Sequence, residues 1–268
     1  MNVIVITGAS DGIGAEMARQ WAARGRDGVA LVLAARSVDR LEAVAASCRA
    51  SGAKVLVQHC DVGLQADCIE LVAAAMCNFG RIDTLVNNAG ISAQALFAEV
   101  NDLGWTEQLM RVNHWGSVWC THAALEPLKA SRGRIVAVSS LCGLAGVPGR
   151  TAYCGSKFAM TGFFEALRIE LAVAGVSVTI AYPGVVATQL RHHGLNAHGE
   201  IAGSSGLDER DAMSVEECAR LIVDGAEARQ RDIVMTAKGR LGRWLKLIAP
   251  RIVDRLTLAA LKQEVRPR

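Results

Sequence analysis

The chain has 268 residues, 51% of them hydrophobic and 21% charged, with a formal net charge of +3. Such a chain builds one sizeable core, and no run reaches the ~18 continuous apolar residues of a membrane-spanning helix, because Arg, Asp, Gly or Ser interrupts each one. Positive charge is concentrated at the end: residues 238 to 268 carry nine Lys and Arg against Asp254 and Glu264, so everything before them is net negative. No basic stripe or aromatic module appears elsewhere, so nucleic acid is not an expected partner.

Short runs rich in Val and Ile alternate with longer segments of helical period, the pattern of repeated βαβ units. Strands are predicted over 2–6, 29–34, 54–58, 82–86, 133–138, 176–181 and 231–235, joined by about six helices. Runs such as VALVLAA at 29–35 are apolar without alternation, as burial on both faces of a parallel sheet requires. The expected fold is therefore α/β: a Rossmann-like doubly wound parallel sheet of about seven strands with helices on both faces, in a single domain spanning 1–268. The first strand starts beside Met1, leaving no room for a signal peptide, and a cytoplasmic location is expected. Eight cysteines lie at 48, 60, 68, 77, 120, 142, 154 and 218 with no C-x-x-C pair, so reduced, packed thiols are expected and neither a zinc ribbon nor a redox dithiol is indicated.

In doubly wound sheets ligands bind beyond the carboxyl ends of the strands. The first such loop reads Thr7-Gly8-Ala9-Ser10-Asp11-Gly12-Ile13-Gly14 and leads into a helical run. Its glycines permit a tight turn and close backbone approach to a pyrophosphate, while the helix start supplies N–H donors. The spacing G-x-x-x-G-x-G departs from the G-x-G-x-x-G fingerprint, so other loops must decide. At the end of the second strand, where an NAD site places an acid on the ribose, the chain has Arg36, whose guanidinium suits a 2′-phosphate; NADP(H) is the expected cofactor. The third strand runs into Asp61-Val62, with a carboxylate able to accept from an adenine amino group, and the fourth into Asn87-Asn88-Ala89-Gly90, whose amides can tie adjacent loops.

The fifth strand ends at Ser139-Ser140, followed by Tyr153-x-x-x-Lys157 at the start of a long helix. At i and i+4 the phenol and ammonium share one helix face, and an ammonium favours the phenolate, bringing a poor acid towards working range. A Ser140 hydroxyl can hold an oxygen on which negative charge develops while Tyr153 delivers the proton.

Together TGASDGIG, NNAG, Ser140 thirteen residues before Tyr153, YCGSK and Pro183-Gly184-Val185-Val186-Ala187-Thr188 resemble the short-chain dehydrogenase/reductase family, in order and spacing, from Val3 to about Met235. The resemblance implies a catalytic set of Asn113, Ser140, Tyr153 and Lys157. It further implies that Lys157 grips the nicotinamide ribose, that Asn113 anchors a proton-relay water and that Val186 and Thr188 fix the carboxamide, with no metal needed. Asp11 occupies a loop position where many NADP enzymes of this kind carry a second basic residue. A homodimer or homotetramer is implied, with the helices around Asn113 and Tyr153 as contact faces.

His114, His192, His193 and His198 lack further ligand types at metal spacing. Met110, Trp115 and Trp119 at helical spacing are read as core or subunit contacts. Residues 190–212, with Gly194, Gly199, Gly203 and Gly206, read as a mobile substrate lid ending in the capping box Ser214-x-x-Glu217. In the extension 238–268, Leu241, Trp244, Leu245 and Ile248 recur around Arg243 and Lys246, a basic amphipathic pattern. Pro250 should split it into two helices that either pack on the protein or make peripheral membrane contact. The expected activity interconverts a ketone and a secondary alcohol, on a lipophilic small molecule if the tail seeks a surface. Two other readings stay open: a non-catalytic NADP-binding sensor or scaffold, and an epimerase or dehydratase of the kind that shares Tyr-x-x-x-Lys.

Overall fold

The computed structural model describes residues 1–25, 28–190, 193–203 and 212–264, with backbone alone for 260–264. Seven strands form one sheet: β1 (Asn2–Thr7), β2 (Val29–Ala35), β3 (Lys54–His59), β4 (Thr84–Asn87), β5 (Arg134–Val138), β6 (Ser177–Tyr182) and β7 (Asp232–Val234). Their order is β3-β2-β1-β4-β5-β6-β7 and each pairing is parallel. The fold is the expected Rossmann-like doubly wound one. All carboxyl ends therefore lie along one edge, and the order reverses between β1 and β4, where a crevice opens.

The helices are α1 (Gly12–Arg24), α2 (Val38–Ala50), α3 (Gln65–Phe79), α4 (Gly104–Met110), α5 (Gly116–Ala123), α6 (Leu125–Ser131), α7 (Thr151–Leu171), α8 (Val215–Glu227), α9 (Ala237–Ile248) and α10 (Pro250–Glu264). Among the described residues there are ten segments against about six expected in the core and two in the tail; the tail supplies its two, and the long helix after β4 is cut by a π-helical turn, Arg111–Trp115, and again at Ala124.

Successive strand residues point to opposite faces, so one strand feeds two cores. In β1, Ile4 and Ile6 pack with Met17, Trp21, Leu41 and Ile222 of α1, α2 and α8. Val5 between them joins Leu71, Cys120, Leu128 and Phe164 of α3, α5, α6 and α7. Each such fully buried side chain contributes about 1.5–3 kcal/mol, and the double burial explains why these strands read as unbroken apolar runs. A third, small cluster of Ala93, Trp105, Leu109 and Tyr153 lies beyond the strand ends.

Candidate active site

The glycine loop follows β1 directly. Gly8 and Gly12 adopt φ of 65° and 54°, in the left-handed region open to glycine without strain. Gly8 lies so close to the next loop that an added Cβ would stand 2.8 Å from the Ala89 Cα, and one on Gly14 would strike the Gly8 carbonyl. The Asp11 carboxylate caps α1, accepting from the Gly12 N–H at 2.7 Å.

Asn88 laces this loop to the end of β4. Its amide donates to the carbonyls of Thr7 and Gly8 at 2.9 and 3.2 Å, while the Thr7 hydroxyl accepts from the N–H groups of Asn88 and Ala89 at 3.0 and 3.1 Å and donates to Val86. The neighbouring Asn87 instead turns into the core and donates to Thr121 at 2.9 Å. One asparagine of the pair faces the crevice and the other braces α5.

A cleft of about 410 Å³ runs along the crevice, lined at one end by Arg36, Arg40, Cys60, Asp61 and Val62 and along its floor by Gly8, Ser10, Gly12, Ile13 and Asn88 to Ile91. Asp61 shapes its own loop, accepting from the Gly63 N–H at 2.9 Å. Arg36 and Arg40 are both exposed, and neither takes part in a salt bridge among the described residues. Arg40 was not singled out from the sequence. It lies four residues beyond Arg36 in the first turn of α2, and its signal was a helix start on the ligand edge. Arg111 also reaches this wall, donating to the Gly63 carbonyl at 2.9 Å and lying 5.5 Å from the Trp119 ring centre.

The floor continues into a smaller hollow lined by Gly90, Ser140, Lys157, Pro183, Gly184, Val186 and Thr188. Tyr153 and Asn113 stand behind this wall. Tyr153 is buried in the third cluster, and the Lys157 Nζ lies 5.9 Å from its ring centre. Asn113 is fully buried within the π turn; its Oδ1 accepts from the Ile91 N–H at 2.8 Å, and its Nδ2 donates to the Ile91 carbonyl and to Ser156, both at 3.0 Å. That turn inserts a residue into the helix, and such insertions recur at functional sites. Ser140 starts a short 3-10 turn, Leu141–Gly143, and accepts from the Cys142 N–H at 3.2 Å.

Lys157 is buried and donates to the Val138 carbonyl at 2.9 Å. Burial lowers its pKa to about 8. A lysine kept at that cost, about 3 kcal/mol against one in water, is a site feature rather than a packing one. Arg150 ties the entrance of α7 to the opposite loop, donating to Ser92 at 3.4 Å and Gln94 at 3.0 Å; the sequence reading passed over it because both partners lie far away in the chain.

Of the expected lid, Leu190 and His193 line the cleft, Ala93 and Leu195 form a short bridge, and Ser214 caps α8 through the Glu217 N–H at 3.1 Å. His192, Gly206 and the rest of 204–211 lie outside the described residues. His114 packs edge-on against Trp115 and Phe163, with its pKa lowered by burial, and among the described residues no group of His, Cys, Asp or Glu is arranged to hold a metal ion. Met110 and Trp119 are half-buried while Trp115 is exposed.

Residues 2–197 match the family model for short chain dehydrogenases, and the chain belongs to that family of oxidoreductases. It is 36% identical over 255 residues to the 11-beta-hydroxysteroid dehydrogenase-like 4A of Arabidopsis thaliana, covering 94% of this chain and 82% of that one. Among solved structures it is similar to a short-chain dehydrogenase from Sphingobium yanoikuyae in complex with NADPH, at 28% identity and a TM-score of 0.76 over 94% of each chain. It also resembles an alcohol dehydrogenase from the archaeon Thermococcus sibiricus complexed with 5-hydroxy-NADP, at 28% identity and a TM-score of 0.73, covering 87% of this chain and 94% of that one.

Proposed function

We propose that the protein is an NADP(H)-dependent oxidoreductase that interconverts a ketone and a secondary alcohol, with Tyr153 as general acid and base. The observation that carries this reading is the buried Lys157, held beside the Tyr153 ring at the end of a hollow that opens towards Ser140. The cleft suits a dinucleotide: Gly8, Gly12 and the start of α1 line it without side chains at the glycines, and Arg36 and Arg40 offer two guanidinium groups for a 2′-phosphate. The NADP ligands of both structural relatives support the same choice. When bound, the nicotinamide supplies or accepts hydride.

The chain's own groups do the rest. Ser140 would hold the substrate oxygen, Tyr153 would deliver its proton, and the Lys157 ammonium would stabilise the charge left on the phenol oxygen. Lys157 would also hold the nicotinamide ribose, Val186 and Thr188 would fix the carboxamide, and Asn113, locked onto Ile91, would anchor the water that returns the proton. A sensor without turnover would have no need of Asn113, Ser140, Tyr153 and Lys157 together, which favours catalysis over the binding-only alternative. Turnover at 340 nm with a panel of ketones and alcohols tests this, and Tyr153→Phe should retain NADPH binding while losing at least about 10²-fold in kcat. An unchanged kcat in that variant would overturn the mechanism.

A lipophilic substrate and a membrane surface form the second half of the reading, supported by the exposed apolar face of α9. Leu241, Trp244, Leu247 and Ile248 point outward, Trp244 being 69% and Ile248 82% exposed, and Ile252, Leu256 and Leu258 of α10 continue the apolar exposure. Exposed Lys238, Arg240, Arg251 and Arg255 flank them, suiting anionic lipid. No helix among the described residues is long and apolar enough to cross a membrane, so contact would be peripheral. The name of the Arabidopsis relative agrees with a hydroxysteroid-like substrate class. Self-association would use the α4–α5 and α7 faces, where Trp115 is exposed over Trp119 and Ile169 is bare.

A further inference from the structure

We propose that Cys142 and Cys154 form an oxidative modification site, in which a small peroxide joins them in a reversible disulfide that stops turnover. The site has no motif, because the two cysteines are separated by eleven intervening residues. The fold brings them together. Cys142 lies on the 3-10 turn that starts at Ser140, Cys154 directly follows Tyr153 in the first turn of α7, and their side chains hydrogen-bond to each other. The turn is pressed against α7: an added Cβ on Gly143 would stand 2.8 Å from the Thr161 hydroxyl and 2.9 Å from the Lys157 carbonyl.

The chain after Gly143 then folds across Cys154, whose Sγ accepts from the Val147 N–H at 3.4 Å and donates to the Ala145 carbonyl at 3.9 Å. Donors aimed at a sulfur favour its thiolate. The Cys142 hydrogen bond, followed by the Val147 N–H and the nearby Arg150 guanidinium, outweighs burial and lowers Cys154 to about 7, while Cys142 is raised by the same hydrogen bond and keeps its proton. Four other thiols, Cys48, Cys60, Cys68 and Cys218, go the other way. Cys60 and Cys68 are raised by hydrogen bonds within the Cys60, Cys68 and Cys120 chain and by burial, and Cys218 is pushed up to about 12 by burial alone. The contact between them thus raises one thiol and lowers the other, with Cys154 buried and Cys142 half-buried.

The chemistry balances with hydrogen peroxide as oxidant. The Cys154 thiolate attacks one peroxide oxygen; an S–O bond forms, the O–O bond breaks, and the departing hydroxide takes up a proton as water. The Cys142 sulfur then attacks the Cys154 sulfur; the S–S bond forms, the S–O bond breaks, and the Cys142 proton leaves with the oxygen as a second water. Two thiols are oxidised by two electrons and one peroxide is reduced to two waters, and a dithiol reverses the step. Closing a hydrogen-bonded contact to a bond of about 2.05 Å draws the Leu141–Gly143 turn onto α7. Ser140 is bound to that turn through the Cys142 N–H, and Tyr153 is the neighbour of Cys154, so both shift. The loss of turnover rests on the catalytic reading of Ser140 and Tyr153; the bond itself does not.

The test separates the two. Reduced protein is treated with hydrogen peroxide, alkylated, and digested with trypsin, which places Cys142 in peptide 135–150 and Cys154 in peptide 151–157. The expected result is a linked pair of these peptides appearing in step with a fall in turnover of at least about 10-fold, both reversed by dithiothreitol. Cys142→Ala and Cys154→Ala should keep turnover within about twofold before treatment and resist peroxide. Absence of the linked peptides, persistence of turnover once they have formed, or equal sensitivity of Cys142→Ala overturns the proposal. Absence of carbonyl turnover in the reduced and oxidised states alike overturns the catalytic reading, while the linked peptides still report the modification.

Discussion

In the proposed reading Arg36 and Arg40 would divide one task between two residues, of which the sequence singled out only the first. Arg36 stands where an acid belongs in an NAD site, so its type and position speak together. Arg40 reads as an ordinary charge in a helix until the fold turns the first turn of α2 towards the cleft. Asp11 poses the reverse case: an acid at a loop position suited to a base is occupied in capping α1. Arg40 would therefore supply, in that reading, the second positive group that the glycine loop lacks. Arg40→Ala should raise the KM for NADPH about 10-fold and leave that for NADH within about twofold, the loss expected of one charge-assisted hydrogen bond. Arg36→Asp should invert the preference towards NADH, because a carboxylate repels the phosphate and accepts from ribose hydroxyls. Equal effects of Arg40→Ala on both cofactors would sink this assignment.

At the scale of elements, periodicity revealed the strands, the glycine loop and the α8 cap, since each depends on residues near one another in the chain. It did not reveal the π turn around Asn113, whose side chain bonds to the Ile91 backbone, 22 residues away. Nor did it orient α9. A helical pattern identifies a stripe but not the side that meets the body, and here the polar side does so. Lys246 donates to the Leu144 carbonyl at 2.9 Å and lies 4.6 Å from the Phe158 ring centre, and Arg243 pairs with Asp232 at 3.0 Å. The apolar side is left outward, with Leu241, Trp244, Leu247 and Ile248 all exposed, and contiguous exposed apolar residues of this kind mark interaction surfaces. Full-length protein should co-sediment with anionic liposomes at low salt, and Trp244→Glu with Leu247→Glu should abolish this without changing turnover on a water-soluble ketone. Protein that stays in the supernatant at low salt would reject the lipid reading, as would undiminished binding of the double variant.

Across the whole molecule the two cores carry a pH dependence set by their thiols. Unfolded thiols ionise near 9.0, while burial raises Cys48 and Cys218 and mutual hydrogen bonding raises Cys60 and Cys68; burial also raises Tyr182, to about 12. A folded pKa above the unfolded one gives stability that is present below pH 9 and lost as pH climbs towards the folded value. Each fully shifted group withdraws on the order of 1.4 kcal/mol per pH unit. Lys157 opposes this above pH 9: its folded pKa of about 8 lies below the usual 10.5, so it adds stability between those limits, whereas Cys154, lowered to about 7, does so only below pH 9. The thiols outnumber it. The melting temperature under reducing conditions should therefore fall steeply from pH 9 to 10.5, and Cys218→Ala should melt lower at pH 8 yet decline less steeply. A melting temperature that rises over this range, or an identical slope in the variant, would refute the account.

The strand order also sets a timetable for synthesis. β1 pairs with β2 within the first 35 residues, but its other edge must wait for β4 at Thr84–Asn87. At roughly 5–20 residues per second, that edge, carrying Val3 to Ile6, stays open for roughly 4–16 s after it leaves the ribosome. The dinucleotide crevice lies on that same seam, so the nascent chain has an aggregation-prone edge before it has any cofactor site to stabilise it.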